Sequence, residues 1–257
     1  MKNIYYKEIN NEITIFKKAF ENKLPIMLKG PTGCGKSRFV EKMSEILQLP
    51  LIQIACNEET SSVDLLGRYL IQSGNTIWQD GPATHAVKNG YILYLDEISE
   101  AREDVIVVIH PLTDYRREIY LDKKNETFKA NTNFMLVASY NPGYQSKMKD
   151  LKISTKQRFL TLNFDYPNLE TEIEILIFET NINFNIAKNL VLYAKKLRNL
   201  KDLQLLETVS TRLLINASKM INSGLDIYTS VDISIIQPLT DDKEIQLSLK
   251  DILLLHI

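Results

Sequence analysis

Gly30-Pro31-Thr32-Gly33-Cys34-Gly35-Lys36-Ser37 spells G-x-x-x-x-G-K-S, and that pattern constrains what stands on either side of it. A backbone that wraps closely round phosphate oxygens has no room for bulk, which suits glycine at 30, 33 and 35. Successive N–H groups and the start of a following helix then face the anion. Lys36 is placed to neutralise the β- and γ-phosphates of ATP, and the Ser37 hydroxyl to bind Mg2+. The flanks agree. Pro25–Lys29 is a short buried-strand run, and Phe39, Val40, Met43, Ile46 and Leu47 follow at helical spacing. Strand, loop and helix in that order predict an α/β fold with a parallel-sheet core that binds a nucleotide.

A second landmark lies sixty residues beyond Lys36, where Tyr91-Ile-Leu-Tyr-Leu95 runs into Asp96-Glu97. Open α/β sheets place ligands at the C-terminal ends of their strands. Asp96 is therefore expected to hold magnesium through water, and Glu97 to polarise the attacking water. A third apolar strand, Asn133–Ser139, leads to Asn141-Pro142. The Asn141 amide either orients that water or simply opens an Asn-Pro turn.

Between these landmarks the periodicity predicts further elements. An amphipathic helix within residues 1–24 ends near Asn22, either packed on the sheet or bordering the adenine. Pro50–Ala55 reads as a second strand. A helix capped by Ser62 is interrupted by two alternating runs, Arg68–Ile71 and Thr76–Gln79, around Ser73-Gly74-Asn75, which signals a hairpin. The helix resumes at Gly81-Pro82. Another helix spans Arg102–Leu112, and a second hairpin pairs Glu118–Leu121 with Glu126–Lys129. Phe159–Phe164 closes an α/β domain over residues 1–166. Residues 167–257 carry four apolar-periodic helices (168–180, 185–200, 209–222, 243–255), an all-α lid domain.

The bulk numbers exclude other chemistry. Cys34 and Cys56 are the two cysteines of 257 residues, too few for a disulfide or zinc framework. Cys34 reads as a small filler of the loop. His110 has no second ligand at metal spacing and reads as a packed or exposed histidine. The net charge of −1 provides no global field for nucleic acid. No apolar run reaches a membrane span and no leader opens the chain, so a reduced, cytoplasmic protein is expected.

With these residues placed, the chain resembles the MoxR branch of AAA+ ATPases, and within it the CbbQ/NirQ/NorQ group; gas-vesicle assembly proteins are more distant relatives. The matching stretches are K-G-P-T-G-C-G-K-S-R-F-V-E (29–41), D-L-L-G-R-Y-L (64–70), W-Q-D-G-P (78–82), Y-L-D-E (94–97), V-V-I-H-P-L-T-D (107–114), S-Y-N-P-G-Y-Q-S (139–146), K-Q-R-F (156–159) and S-T-R-L-L (210–214). The resemblance implies that Asn141 is the first sensor, Arg158 the finger reaching a neighbouring subunit's nucleotide, and Arg212 the second sensor in the lid. It implies hairpin insertions at 67–80 and 116–130, the first facing a central pore with Tyr69 and Trp78 as gripping candidates. It also implies that Asn57 restrains Glu97. The implied assembly is a homo-oligomeric, hexameric ring acting with a von Willebrand factor A-domain adaptor on a client metalloenzyme, either Rubisco or nitric-oxide reductase. The fold, activity and role expected are those of an ATP-hydrolysing remodelling chaperone.

Two other classes share the loop. A small-molecule kinase needs a lid that donates several arginines, whereas 67–80 carries the apolar and aromatic residues Tyr69, Leu70, Ile71, Ile77 and Trp78. A nucleic-acid-dependent ATPase needs a basic, aromatic-interleaved surface, which neither the charge nor the pattern supplies.

Overall fold

The computed structural model describes residues 4–142, 151–200 and 208–255. Contacts divide it into two compact units, one of Met1–Gly30 with Lys36–Phe164, the other of Pro31–Gly35 with Asp165–Ile257. The first unit holds a five-stranded sheet in the order β2-β5-β8-β1-β9. Its strands are β1 (Ile26–Lys29), β2 (Leu51–Ala55), β5 (Ile92–Asp96), β8 (Met135–Tyr140) and β9 (Leu160–Asn163). Every pairing is parallel, with Ile26 level with Val137 on one side and Leu160 on the other.

Burial on both faces explains why these strands read as unbroken apolar runs rather than alternating ones. Ile26, Leu28, Ile92, Tyr94, Met135 and Val137 point to one face. They meet Phe16 and Ala19 of α1 (Glu12–Glu21) and Phe39, Val40 and Met43 of α2 (Lys36–Leu47). The N-terminal helix thus packs on the sheet. Met27, Leu93, Leu95, Leu136 and Ala138 point to the other face. There they meet α3 (Ser62–Leu66), α4 (Pro82–Asn89) and α5 (Glu103–Ile109) through residues such as Leu65, Val87 and Ile109. Because the strands are parallel, the segments after β1, β5 and β8 emerge together at one edge, bringing Gly30, Asp96 and Asn141 there.

The interruption between α3 and α4 is a hairpin, β3 (Gly67–Gln72) antiparallel to β4 (Asn75–Asp80). Ser61, rather than Ser62, caps α3; its hydroxyl accepts from Asp64 N while Asp64 reaches back, a reciprocal capping box. Glycine is required at the neck. A Cβ on Gly81 would stand 2.4 Å from the Leu65 carbonyl oxygen. Instead Gly81 N–H donates to Leu66 O at 2.9 Å and closes the base. Trp78 packs edge-on against Tyr69 and donates its indole N–H to Asp80 at 2.7 Å, so it anchors the hairpin from within. The outward-facing residues are Tyr69, Ile77 and above all Ile71, 84% exposed. A second hairpin, β6 (Glu118–Leu121) with β7 (Glu126–Lys129), follows α5. After it, α6 (Ile153–Lys156) is a single turn.

The second unit is helical: α7 (Leu169–Thr180), α8 (Phe184–Asn199), α9 (Thr211–Asn222), α10 (Ile227–Val231), α11 (Gln237–Leu239) and α12 (Lys243–Leu254). Wide helical turns over Asp232–Ile236 join α10 to α11, so Ile227–Leu239 adds helix that periodicity had not predicted. Val231, Ile235 and Ile236 enter the core made by Leu176, Leu190 and Leu214. Among the described residues no helix is long and apolar enough to cross a membrane.

One ion pair sits in this helical core. Arg198 clasps both oxygens of Glu172 at 2.7 and 2.8 Å, and its Nε donates to Val209 O. Thr211 adds a hydroxyl donor to Glu172 at 2.6 Å, and the Arg198 guanidinium stacks 4.1 Å over the Tyr166 ring. The Glu172 side chain is 1% exposed. Arg198→Ala leaves that carboxylate without its cation, and we expect a loss of about 3–5 kcal/mol in denaturant unfolding. Replacing both partners with apolar residues should cost far less.

Candidate active site

The site grows from the three strand ends. Lys36, the first residue of α2, is buried. Its ammonium donates to Gly30 O at 2.8 Å and to Asn141 Oδ1 at 2.7 Å. Asn141 Nδ2 in turn donates to Glu97 Oε1 at 3.0 Å. The amide orientation is fixed by its neighbours, since an ammonium needs the oxygen and a carboxylate needs the nitrogen. Lys36, Asn141 and Glu97 therefore form one connected chain. Asn57 takes no part in it. Its side-chain oxygen accepts from Glu59 N, Thr60 N and the Thr60 hydroxyl, closing its own turn. The side-chain amide that meets Glu97 is that of Asn141.

Glu97 has φ 55° and ψ 48°, a left-handed conformation uncommon for a residue with a side chain. It turns the chain sharply off β5 so that Ile98 can bury beneath it. Such strain collects at functional positions and has to be held by its surroundings. The Glu97 N–H donates to Ser139 Oγ at 3.0 Å.

Ser37 Oγ donates to Asp96 Oδ2 at 3.0 Å. This pair offers one hydroxyl and one carboxylate, both hard oxygens. That donor set fits Mg2+, which takes one or two protein oxygens and fills its octahedron with phosphate and water. Among the described residues no group of three His, Cys, Asp or Glu side chains is gathered for a metal. Burial, then the Asp96 and Glu97 charges, push the nearby Cys56 thiol up to about 12, which makes it an inert buried group. Burial, with Glu97 and Glu58 nearby, also raises the Glu100 carboxyl.

Sequence reasoning missed two residues of this cluster. Tyr94 lies two positions before Asp96 on the same strand, and its hydroxyl donates to Asp96 Oδ1 at 2.7 Å. Ser139 donates to the same oxygen at 2.5 Å. Both side chains are fully buried. The signal was available: strand parity puts residue 94 on the face of residue 96, and Ser139 is a hydroxyl directly after the apolar run Phe134–Ala138.

The apex of the loop, Pro31, Thr32, Gly33, Cys34 and Gly35, belongs to the second unit. Cys34 is buried there, as a filler would be. Tyr166 donates its hydroxyl to Thr32 O at 3.0 Å. Gly33 has φ +70°, and a Cβ on it would lie 2.6 Å from the Ser210 Cβ and 3.6 Å from the Arg212 Cβ. Ser210 caps α9 by accepting from Leu213 N, and Arg212, the second residue of that helix, is exposed.

Arg158 stands apart from the Lys36–Asn141–Glu97 chain. It follows α6, is partly exposed, and its Nη1 lies 3.4 Å from Asp114 Oδ2. Asp114 also receives Arg116, through Nη2 at 2.7 Å, Nε at 3.0 Å and the backbone N–H. The Arg116 bonds come first among the causes that hold the Asp114 carboxyl down to about 2. His110 is half-buried, its Nε2 3.3 Å from the Thr155 hydroxyl.

Known proteins resemble this chain over nearly its whole length. Residues 25–159 match the family model described as AAA domain (dynein-related subfamily), and residues 172–256 match CbbQ/NirQ/NorQ C-terminal. The chain is 51% identical to Protein CbbQ of Hydrogenophilus thermoluteolus over 96% of its own length and 92% of that protein's. It is 48% identical to Denitrification regulatory protein NirQ of Pseudomonas aeruginosa, covering 98% and 97% of the two chains. For Protein NorQ of Paracoccus denitrificans the identity is 47%, over 96% and 92%. Among solved structures, a Thermotoga maritima RuvB variant superposes with a TM-score of 0.56 at 14% identity, over 92% of this chain and 66% of that one; this likeness is one of fold alone. The buried lysine, the adjacent hydroxyl and carboxylate at parallel strand ends, and full-length identity to three named relatives lead to one conclusion: the chain belongs to the CbbQ/NirQ/NorQ family of AAA+ ATPases.

Proposed function

We propose that this ATPase is the motor of a remodelling chaperone that works as a homo-oligomeric, hexameric ring with a von Willebrand factor A-domain adaptor. The client is a metalloenzyme, Rubisco or nitric-oxide reductase. ATP with Mg2+ binds at the phosphate loop, with Gly30, Pro31, Thr32, Gly33, Cys34 and Gly35 lining the backbone cradle. Lys36 neutralises the terminal phosphates, and Ser37 and Asp96 hold the metal. Glu97 directs water onto the γ-phosphate, Asn141 orients it, and Arg212 reads the nucleotide. Magnesium supplies charge neutralisation of the transferring phosphoryl group. Arg158 serves the site of the next subunit. Its position supports that role, since it lies outside the hydrogen-bonded cluster of its own chain and projects from a partly exposed surface.

The observation that carries the chaperone reading is the hairpin over 67–80, an insertion between two helices with a polar turn, Ile71 exposed beside that turn, and a glycine neck at its base. The 116–130 hairpin is proposed to pass motion on beside it. Ile71 is a surface position, where substitution should change stability by within about 0.5 kcal/mol. We expect Ile71→Ser to leave ATP turnover near wild type and to lower client activation at least several-fold. Turnover and activation measured side by side check it.

The decisive assay compares phosphate release by the chain alone, with the adaptor, and with DNA. Stimulation by adaptor and client supports the proposal, and stimulation by DNA alone overturns it. Recovery of Rubisco blocked by a sugar phosphate, set against recovery of immature nitric-oxide reductase, names the client.

A further inference from the structure

Asp96 has two oxygens with unlike surroundings. Oδ1 receives Ser139 at 2.5 Å and Tyr94 at 2.7 Å. Oδ2 receives Ser37 at 3.0 Å and lies 3.5 Å from Gln53 Nε2. A serine hydroxyl carries a single proton, so the Ser139 donor goes to Asp96 while its lone pairs accept the Glu97 N–H at 3.0 Å. The Tyr94 hydroxyl sits 3.1 Å from Ser139 Oγ and 3.3 Å from Ser37 Oγ, closing a ring of polar atoms.

From this geometry we infer that Tyr94 and Ser139 are positioning residues for the hydrolytic pair. Together they saturate Oδ1 of Asp96 and leave Oδ2 facing Ser37, the other side chain that would hold magnesium. Ser139 alone also clasps the left-handed backbone of Glu97, so that a single hydroxyl sets the aim of both carboxylates. Groups of this kind, one bond removed from the metal, orient its ligands, and their loss costs about 10–100-fold in metal affinity or activity. The inference rests on the proposed roles of Asp96 and Glu97.

The test uses the full chain and two readouts. Mn2+, standing in for Mg2+, is titrated into the ADP complex and followed by electron paramagnetic resonance; kcat and KM for ATP are measured across Mg2+ concentrations. Tyr94→Phe keeps the ring volume and removes the donor. It should weaken Mn2+ binding by about 10-fold, and its deficit in turnover should shrink as Mg2+ is raised. Ser139→Ala should lower kcat by about 10–100-fold with KM for ATP within twofold of wild type, a deficit that added Mg2+ does not repair, because Glu97 has lost its clasp. Wild-type Mn2+ affinity in Tyr94→Phe overturns the metal half, and wild-type kcat in Ser139→Ala overturns the clasp. Should Ser139→Ala fail to fold, Ser139→Thr restores the hydroxyl, and recovery of fold without recovery of kcat also overturns the clasp. If the wild-type complex itself binds no Mn2+, the active-site reading and this inference fall together; if it does and both variants match it in metal affinity and kcat, only the inference falls.

Discussion

Glu97→Gln should stop ATP hydrolysis while leaving ATP bound. The substitution preserves shape and the contact with Asn141, since a glutamine carbonyl accepts from the Asn141 amide as the carboxylate does. What disappears is the negative charge that draws a proton from water. General-base catalysis contributes about 10²–10⁴-fold, so we expect turnover to fall by at least that range in a phosphate-release assay. Fluorescent-nucleotide titration should show affinity within a few-fold of wild type, and ring assembly should persist. Unchanged turnover would remove Glu97 from the mechanism.

Arg158→Ala carries the other large effect. An arginine delivered to the phosphoryl group in the transition state is worth about 10³–10⁵ in rate. The Arg158 guanidinium is paired with Asp114 outside the Lys36–Asn141–Glu97 chain, so the variant should bind ATP normally yet hydrolyse it far more slowly. Mixing is the sharper measurement. A ring built from Arg158→Ala and Glu97→Gln chains contains interfaces where an intact Glu97 meets an intact Arg158. Turnover should reappear in the mixture although neither variant turns over alone. A mixture that stays silent at every ratio would argue against delivery across subunits, as would a strictly monomeric protein that hydrolyses ATP at full rate.

Much of this was legible before any coordinates, because the loop, the carboxylate pair and the hairpins are local features. Glu118–Leu121 and Glu126–Lys129 pair at the predicted positions, since alternation around a polar turn needs nothing from the rest of the chain. The partner of Glu97 was another matter. The strand ending in Asp96 has a neighbour on each side, one leading to Asn57 and the other to Asn141. Pattern alone gives Asn141 a water-orienting or turn role, and only the family resemblance brings Asn57 to Glu97. Asn57 turns its oxygen into its own tight turn, and the amide that meets Glu97 is that of Asn141. The stretch Ile227–Leu239 escaped for a different reason. Its β-branched residues and Pro238 speak against helix locally, and burial of Val231, Ile235 and Ile236 among neighbouring helices overrides that preference. The Tyr94–Ser139 platform is tertiary throughout, joining atoms from two strands forty-five positions apart.

The pinched root of the first hairpin has a practical corollary. Backbone atoms crowd Gly81 so tightly that no larger residue fits, whereas nothing crowds Gly74 at the opposite end. The mounting is fixed and the working end is free. Grafting a relative's tip between residues 70 and 77 should therefore yield a protein that still burns ATP but answers to a different client, a swap akin to changing the bit in a drill whose chuck stays as it was.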